Sequence, residues 1–270
     1  MKRAERACVI TQVLTENPNK DYPLGYFAEL FGCAKSSVSE DLHVVRDAVE
    51  GGGLGYIETT AGARGGVRFV PYIKDECALA DLEKLRTALE DPSRVIGGGF
   101  LYTSDLIFDA NYIKVAAREF AKKFAAAEAD FVITIETRGV GVAMMTAHYL
   151  NLPLIVLGRE TRVADGSTVS INYFSGSTDR IQKMSVSRRA IKSGQKAIII
   201  DDFMRDGGSV KGIIDMLSEF DAIHVGVGVV MATRGAKERS IGDYFPIMIL
   251  DDAQGIYRVK INPEIINNNN

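Results

Sequence analysis

The stretch Ala197-Ile198-Ile199-Ile200-Asp201-Asp202-Phe203-Met204-Arg205-Asp206-Gly207-Gly208-Ser209-Val210 sets two adjacent acids between an apolar run and a glycine pair followed by serine. Adjacent carboxylates at the carboxyl end of a strand can accept hydrogen bonds from the two cis hydroxyls of a ribose. Glycine amides and a serine hydroxyl at a helix N-terminus can hold a phosphate. Taken in order, the strand, the acid pair, the turn and the helix start form a cradle for a ribose 5-phosphate. The alternative is a surface turn with an acid pair and a Ser-capped helix, which any α/β protein can contain.

This order resembles the type I phosphoribosyltransferase family, whose signature is an apolar strand, two acids and a glycine-rich phosphate loop. The resemblance implies that Asp201 and Asp202 hold the ribose hydroxyls and that Phe203, Met204, Arg205, Asp206, Gly207, Gly208 and Ser209 form the 5-phosphate loop. Asp206 departs from the family pattern, which has threonine there, and a further carboxylate near a phosphate is repulsive unless it points away. A second stretch, Ile133-Thr134-Ile135-Glu136-Thr137-Arg138-Gly139-Val140, reads as a strand, a short polar loop and a small-residue helix, and resembles the pyrophosphate loop of the same family. Amides of Thr137, Arg138 and Gly139 and the Arg138 guanidinium are candidates to meet a pyrophosphate, with a magnesium ion sharing its charge. The competing role for Arg138 is an ordinary salt bridge. Arg159 and Arg162, just after the next strand, are further candidates. Phe203 and Tyr102 are candidates to stack on a base, set against plain core packing.

These residues need a scaffold. Short apolar runs at Phe131–Ile135, Leu154–Leu157, 197–200 and 223–230 alternate with helical patterns, 107–127 among them, which predicts a mainly parallel sheet covered on both faces. Ahead of it, helical periodicity over 3–14, Leu24–Phe31 and 35–50 precedes strands Tyr56–Thr59 and Val67–Val70 around a glycine-rich turn at 62–66. Three helices and a hairpin make a winged helix. A linking helix over 75–90 and a junction at Asp91-Pro92 and Gly97-Gly98-Gly99 separate a head of residues 1–74 from a domain of residues 75–270. The fold class expected is α/β, an N-terminal winged helix-turn-helix plus a type I phosphoribosyltransferase-like domain. The asparagine-rich end, 267–270, has the composition of a disordered tail.

In the head, Lys35, Ser36, Ser37 and Ser39 open the third helix, where such residues reach phosphates and base edges, and Arg64 and Arg68 lie in the wing. Up to Lys74 there are nine Lys and Arg against nine Asp and Glu, so a winged helix used for protein contact stays open beside double-stranded DNA. Both halves together resemble the purine operon repressor family. The likeness is carried by Gly65-Gly66-Val67, by Gly166-Ser167-Thr168-Val169-Ser170-Ile171-Asn172-Tyr173, by Ser175-Gly176-Ser177, by Arg180-Ile181-Gln182 and by Ile200-Asp201-Asp202-Phe203-Met204. It implies regulation of purine synthesis genes, binding of phosphoribosyl pyrophosphate (PRPP) as an effector without catalysis, and a homodimer, with guanine nucleotides as a second ligand class. Where transferring enzymes keep a flexible loop, 166–184 reads as a β-hairpin with a Ser-Gly-Ser turn.

Composition narrows the classes further. A net charge of -3 argues against indiscriminate polyanion binding, so DNA contact has to come from placement. The cysteines Cys8, Cys33 and Cys77 and the histidines His43, His148 and His224 are scattered without ligand spacing, so neither a disulfide framework nor a protein-held metal is expected. No signal-like or membrane-length apolar run occurs, which predicts a cytoplasmic protein. The competing functions are an active purine phosphoribosyltransferase and a protein-interaction module with a vestigial nucleotide site.

Overall fold

The computed structural model describes residues 1–60, 66–72, 75–96, 100–160, 166–175, 180–234, 241–253 and 256–267. Arg64 and Gly65 of the wing turn, Gly97 to Gly99, Arg162, the Gly176-Ser177 turn and residues 268–270 lie outside them. Two compact units divide the chain: Met1–Ala78 with His148–Asn151, and Leu79–Ala147 with Leu152–Asn270.

The first unit holds α1 (Arg3–Glu16), α2 (Leu24–Phe31), α3 (Lys35–Gly51) and the antiparallel pair β1 (Tyr56–Thr59) and β2 (Val67–Val70). The apolar face expected on α3, Val38, Leu42, Val45 and Val49, is buried against Ile10 and Leu14 of α1, Phe27 of α2 and Ile57 and Phe69 of the hairpin. α1 runs two residues past the expected end, to Glu16, because Asn17 closes it through its backbone N–H to the Leu14 carbonyl. An unanticipated charge sits in this core. Asp41 on α3 is 1 % exposed and accepts hydrogen bonds from Arg6 Nε and Nη2 at 2.6 and 3.1 Å.

The second unit begins within α4 (Asp75–Leu89), which ends one residue before the expected Glu90. The Glu90 side chain turns instead to pair with Arg86 and to accept the Val259 N–H. A short hairpin, β3 (Val95–Ile96) and β4 (Phe100–Leu101), leads to α5 (Ser104–Ile107) and α6 (Ala110–Phe124). The helix expected over 107–127 is α6, three residues shorter at each end. Asp109 accepts from the Asn111 N–H and caps a fresh start at Ala110, and Glu128, with φ of 49°, turns the chain before the sheet.

After α6 come β5 (Phe131–Ile135), α7 (Gly139–Leu150), β6 (Leu154–Leu157), β7 (Thr168–Ser175), β8 (Arg180–Ser187) and β9 (Lys196–Met204). They are followed by α8 (Gly208–Ser218), β10 (Ile223–Thr233), β11 (Phe245–Ala253), β12 (Ile256–Ile261) and α9 (Pro263–Asn267). The main sheet has the order β12-β11-β10-β9-β5-β6, parallel from β11 to β6 with β12 antiparallel at its edge. Its chain order reverses between β5 and β9, the kind of place where open parallel sheets bind ligands at their carboxyl ends. One face buries Phe131, Ile133 and Ile199 with Ile213 and Met216 of α8. On the other, the Phe120 and Phe124 rings of α6 press so close to Gly228 and Gly226 that a Cβ at either would clash. The hairpin expected within 166–184 is present as β7 and β8, and its Tyr173, Met184 and Val186 belong to the buried cluster. β9 and β10 run longer than their apolar runs suggested, and β3, β4, β11, β12 and α9 had no clear sequence signal. Among the described residues no helix is long and apolar enough to cross a membrane.

Candidate functional site

At the carboxyl ends of β5 and β9 the second unit opens a cleft of about 140 Å³. The apolar run of β9 continues through both acids, so Asp201 and Asp202 are strand residues, 5 and 7 % exposed, rather than part of a surface turn. Past Met204, itself buried in the core cluster, Arg205 and Asp206 are exposed and Gly207 takes φ of 81°, a left-handed backbone that glycine adopts without strain. Thr233 Oγ1 donates to the Arg205 carbonyl at 3.1 Å and ties the loop to β10. Gly207 is the N-cap of α8 and no side chain caps it, so the Ser-capped alternative does not hold and the first amides of α8 remain available to a ligand.

Opposite this loop runs the turn between β5 and α7. Glu136, Thr137 and Arg138 line the cleft, and the Glu136-Thr137 peptide is cis. Gly139 does not line it. A Cβ there would come 2.6 Å from Thr134 Oγ1 and 2.9 Å from Asp201 Oδ1, so glycine lets α7 start close against β5 and β9. Arg138 Nε lies 3.1 Å from Asp202 Oδ2, yet that buried oxygen accepts no hydrogen bond: the contact is one of charge without an aligned donor. Arg159, after β6, donates through Nε to the Glu136 carbonyl at 3.1 Å and through Nη1 to Gln182 Oε1 at 3.2 Å.

Burial pushes the Asp201 carboxyl well above the usual carboxylate range, and the neighbouring Asp202 charge pushes it the same way. Burial also raises Asp202, but Arg138 opposes it, and a hydrogen bond from protonated Asp201 favours its charged form. The cleft lining then offers Arg138, Arg159 and Arg205 against Glu136, Asp202 and Asp206, a balance that a polyanion would disturb without an accompanying cation.

Every residue expected at the phosphate loop, with Thr137, Arg138 and Arg159, therefore meets in one cleft, and Phe203 lines it too. Tyr102, half-exposed just past β4, is not among the lining residues. Two cleft neighbours had no role in the sequence reading. Tyr173 and Gln182 face each other across β7 and β8, and the Tyr173 hydroxyl donates to Gln182 Oε1 at 2.8 Å. Their only signal was membership in stretches that resembled a family.

In the first unit, Lys35, Ser36 and Ser39 are exposed on the opening turns of α3, and Ser37 is half-buried. No acid lies in the first turn and no side chain caps it, which leaves the positive end of the helix open. Arg68 is engaged: it donates to Glu58, its partner across the hairpin, at 2.7 Å. Arg3 was not anticipated here. It reaches α3 from α1 by donating to the Glu40 carbonyl at 3.0 Å.

Comparison with known proteins agrees with this division. Residues 2–71 match the N-terminal domain described as bacterial purine repressor, and residues 104–257 match the phosphoribosyl transferase domain. The purine biosynthesis transcriptional repressor PurR of Bacillus subtilis (strain 168) is 38 % identical over 92 % of this chain and 87 % of that protein. The purine biosynthesis transcriptional activator PurR of Lactococcus lactis subsp. lactis (strain IL1403) is 35 % identical over 93 % of each. A xanthine phosphoribosyltransferase from Laribacter hongkongensis (strain HLHK9) is 28 % identical over 56 % of this chain and 82 % of its own. Among solved structures, adenine phosphoribosyltransferase from Rhodothermus marinus DSM 4252 superposes with a TM-score of 0.54 at 19 % identity, covering 64 % of this chain and 99 % of that one, a likeness of fold. With both domains matched in order and full-length relatives above 30 % identity, the chain belongs to the bacterial purine repressor family.

Proposed function

We propose that this protein regulates transcription of purine synthesis genes, binding operator DNA through its head and PRPP, as a signal, in the cleft of its second unit. The observation that carries the reading is the cleft itself. A repressor-type head is joined to a site in which buried acids, two arginine-bearing loops and an uncapped helix start converge as a ribose with phosphates at both ends requires. Asp202, which lines the cleft beside Phe203, suits a ribose hydroxyl, and the loop of residues 205–209 suits the 5-phosphate. Arg138 and Arg159 suit the pyrophosphate. Among the described residues no cluster of His, Cys, Asp or Glu could hold a metal, so magnesium would arrive on the ligand's own oxygens and offset charge that the cleft does not neutralise. Guanine nucleotides carry the same ribose and phosphate groups and compete for the same cleft. The working form is a cytoplasmic homodimer.

No base is transferred in this reading. Transferring folds depend on a closing loop, and here the equivalent segment is a hairpin whose Tyr173, Met184 and Val186 are in the core. The likeness to xanthine phosphoribosyltransferases favours the second reading, an active enzyme. Two measurements decide. Operator affinity at fixed salt should change on saturation with PRPP and magnesium, weakening if the anion simply removes positive potential; a parent protein whose affinity is unmoved loses the sensor role. Incubation with PRPP, magnesium and adenine, guanine, hypoxanthine or xanthine should release no pyrophosphate, and release would establish the enzyme instead.

A further inference from the structure

We infer that Tyr173 and Gln182, a cross-strand pair on the β7–β8 hairpin, are positioning residues that hold the two anion-binding ends of the cleft at the spacing of one ligand. The inference rests on the PRPP reading and assigns the hairpin a role within it. Gln182 Oε1 is shared by two donors, Arg159 Nη1 at 3.2 Å and the Tyr173 hydroxyl at 2.8 Å. Tyr173 in turn packs against Gly212 of α8, the helix whose first turn carries Ser209. A continuous set of contacts thus runs from the arginine on the pyrophosphate side, through the hairpin, to the helix that starts at the 5-phosphate loop. Arg159 and Ser209 both line the cleft.

Three features make these contacts rigid enough to position a ligand. Tyr173 is 6 % exposed and packed in the core cluster, so its hydroxyl has little freedom. Tyr173 and Met184 fill the space beside Gly212 of α8, where a Cβ would come within 2.8 and 2.6 Å of them, which seats the hairpin on the helix that starts at the phosphate loop. Arg159 is held a second time by the Glu136 carbonyl, which leaves the far side of its guanidinium as the part that Gln182 orients. A side chain held by acceptors at two edges presents its remaining N–H groups in a fixed direction, and bidentate recognition of phosphate needs that direction. The exposed outer face of the same hairpin, with Phe174 and Ile181 opposite each other, makes no such connection among the described residues.

Titration calorimetry on the full-length protein tests the assignment with three probes, PRPP and pyrophosphate, each with magnesium, and ribose 5-phosphate. Gln182→Leu should weaken pyrophosphate about tenfold, as expected for a lost orienting contact to a charged group, while ribose 5-phosphate stays within about twofold. Tyr173→Phe, which keeps the ring in the core but removes one of the two donors to Gln182, should weaken PRPP and pyrophosphate several-fold. In an Arg159→Ala background Gln182→Leu should add nothing to the loss of pyrophosphate, because it acts through that arginine. Gln182→Leu binding all three probes as the parent does overturns the inference, and so does an equal loss of all three with a lowered melting temperature, which would mark a purely structural hairpin. A parent protein that binds none of the probes overturns the PRPP reading itself, a different result from either.

Discussion

Each unit buries carboxylates, and they are treated in opposite ways. In the head, Asp41 receives two aligned N–H donors from Arg6 and faces a second cation, Arg3, at 3.6 Å. In the cleft, Asp201 and Asp202 are almost as buried, yet burial raises both carboxyls, and Asp202 Oδ2 meets Arg138 without a hydrogen bond. Acids that are fully satisfied hold a fold together. Acids left with accepting capacity cost stability where they stand and recover it when a hydroxyl arrives. The contrast sets the acid that is paired within the head apart from the pair proposed to hold a ribose.

The largest effect should come from breaking the satisfied acid. Asp41→Ala leaves Arg6 without its partner and should lower the unfolding midpoint of the head in denaturant; an unchanged midpoint would put Asp41 in the same class as the cleft acids. Next, Asp202→Ala should leave the unfolding midpoint unchanged or higher while PRPP affinity drops about tenfold or more by calorimetry, from the loss of about 1.5 to 3 kcal/mol in one charge-assisted bond. Full affinity in a folded variant would remove ribose from the acid pair.

Asp201 supplies a pH test. Its carboxyl is raised in the folded state, so folded protein keeps a proton that the unfolded chain has already released. The stability this gives is complete at acid pH, below the ordinary carboxylate value, and is lost as pH rises from there toward the raised value. Asp201→Asn has the shape of the protonated acid and cannot titrate. Unfolding midpoints measured from about pH 4 to about pH 7 should fall less with pH in the variant than in the parent, and parallel curves would deny that the Asp201 carboxyl is raised. The smallest effect belongs to the head surface: Lys35→Ala should reduce the slope of log affinity for DNA against log salt by about 0.9 and leave PRPP binding alone. An unchanged slope would move the phosphate contact from Lys35 to another cation of the head.

Much of the cleft was legible because its central motif is continuous in the chain. An apolar run, two acids, a glycine turn and a helix start dictate one local path, and the observed β9, loop and α8 follow it. The first helices and the wing strands were legible for the same reason, since period and turn residues act over a few neighbours. The helix expected over 107–127 starts three residues later, at Ala110, where the Asp109 cap overrode a periodicity that ran on through it.

Sequence alone determined the order of the two domains, the strand-acid-glycine motif and the cations able to meet phosphates, because each is written in residues that touch along the backbone. Tertiary structure alone decided that Gln182 and Tyr173 meet Arg159 and α8, that Gly139 sits where a Cβ would clash, that Asp41 pairs with Arg6, and that burial raises the Asp201 carboxyl. Those outcomes depend on which strands become neighbours, in what register, and on how much water remains around a charge. Crossover connections and burial set these quantities over tens of residues, at distances where neither periodicity nor spacing carries a signal.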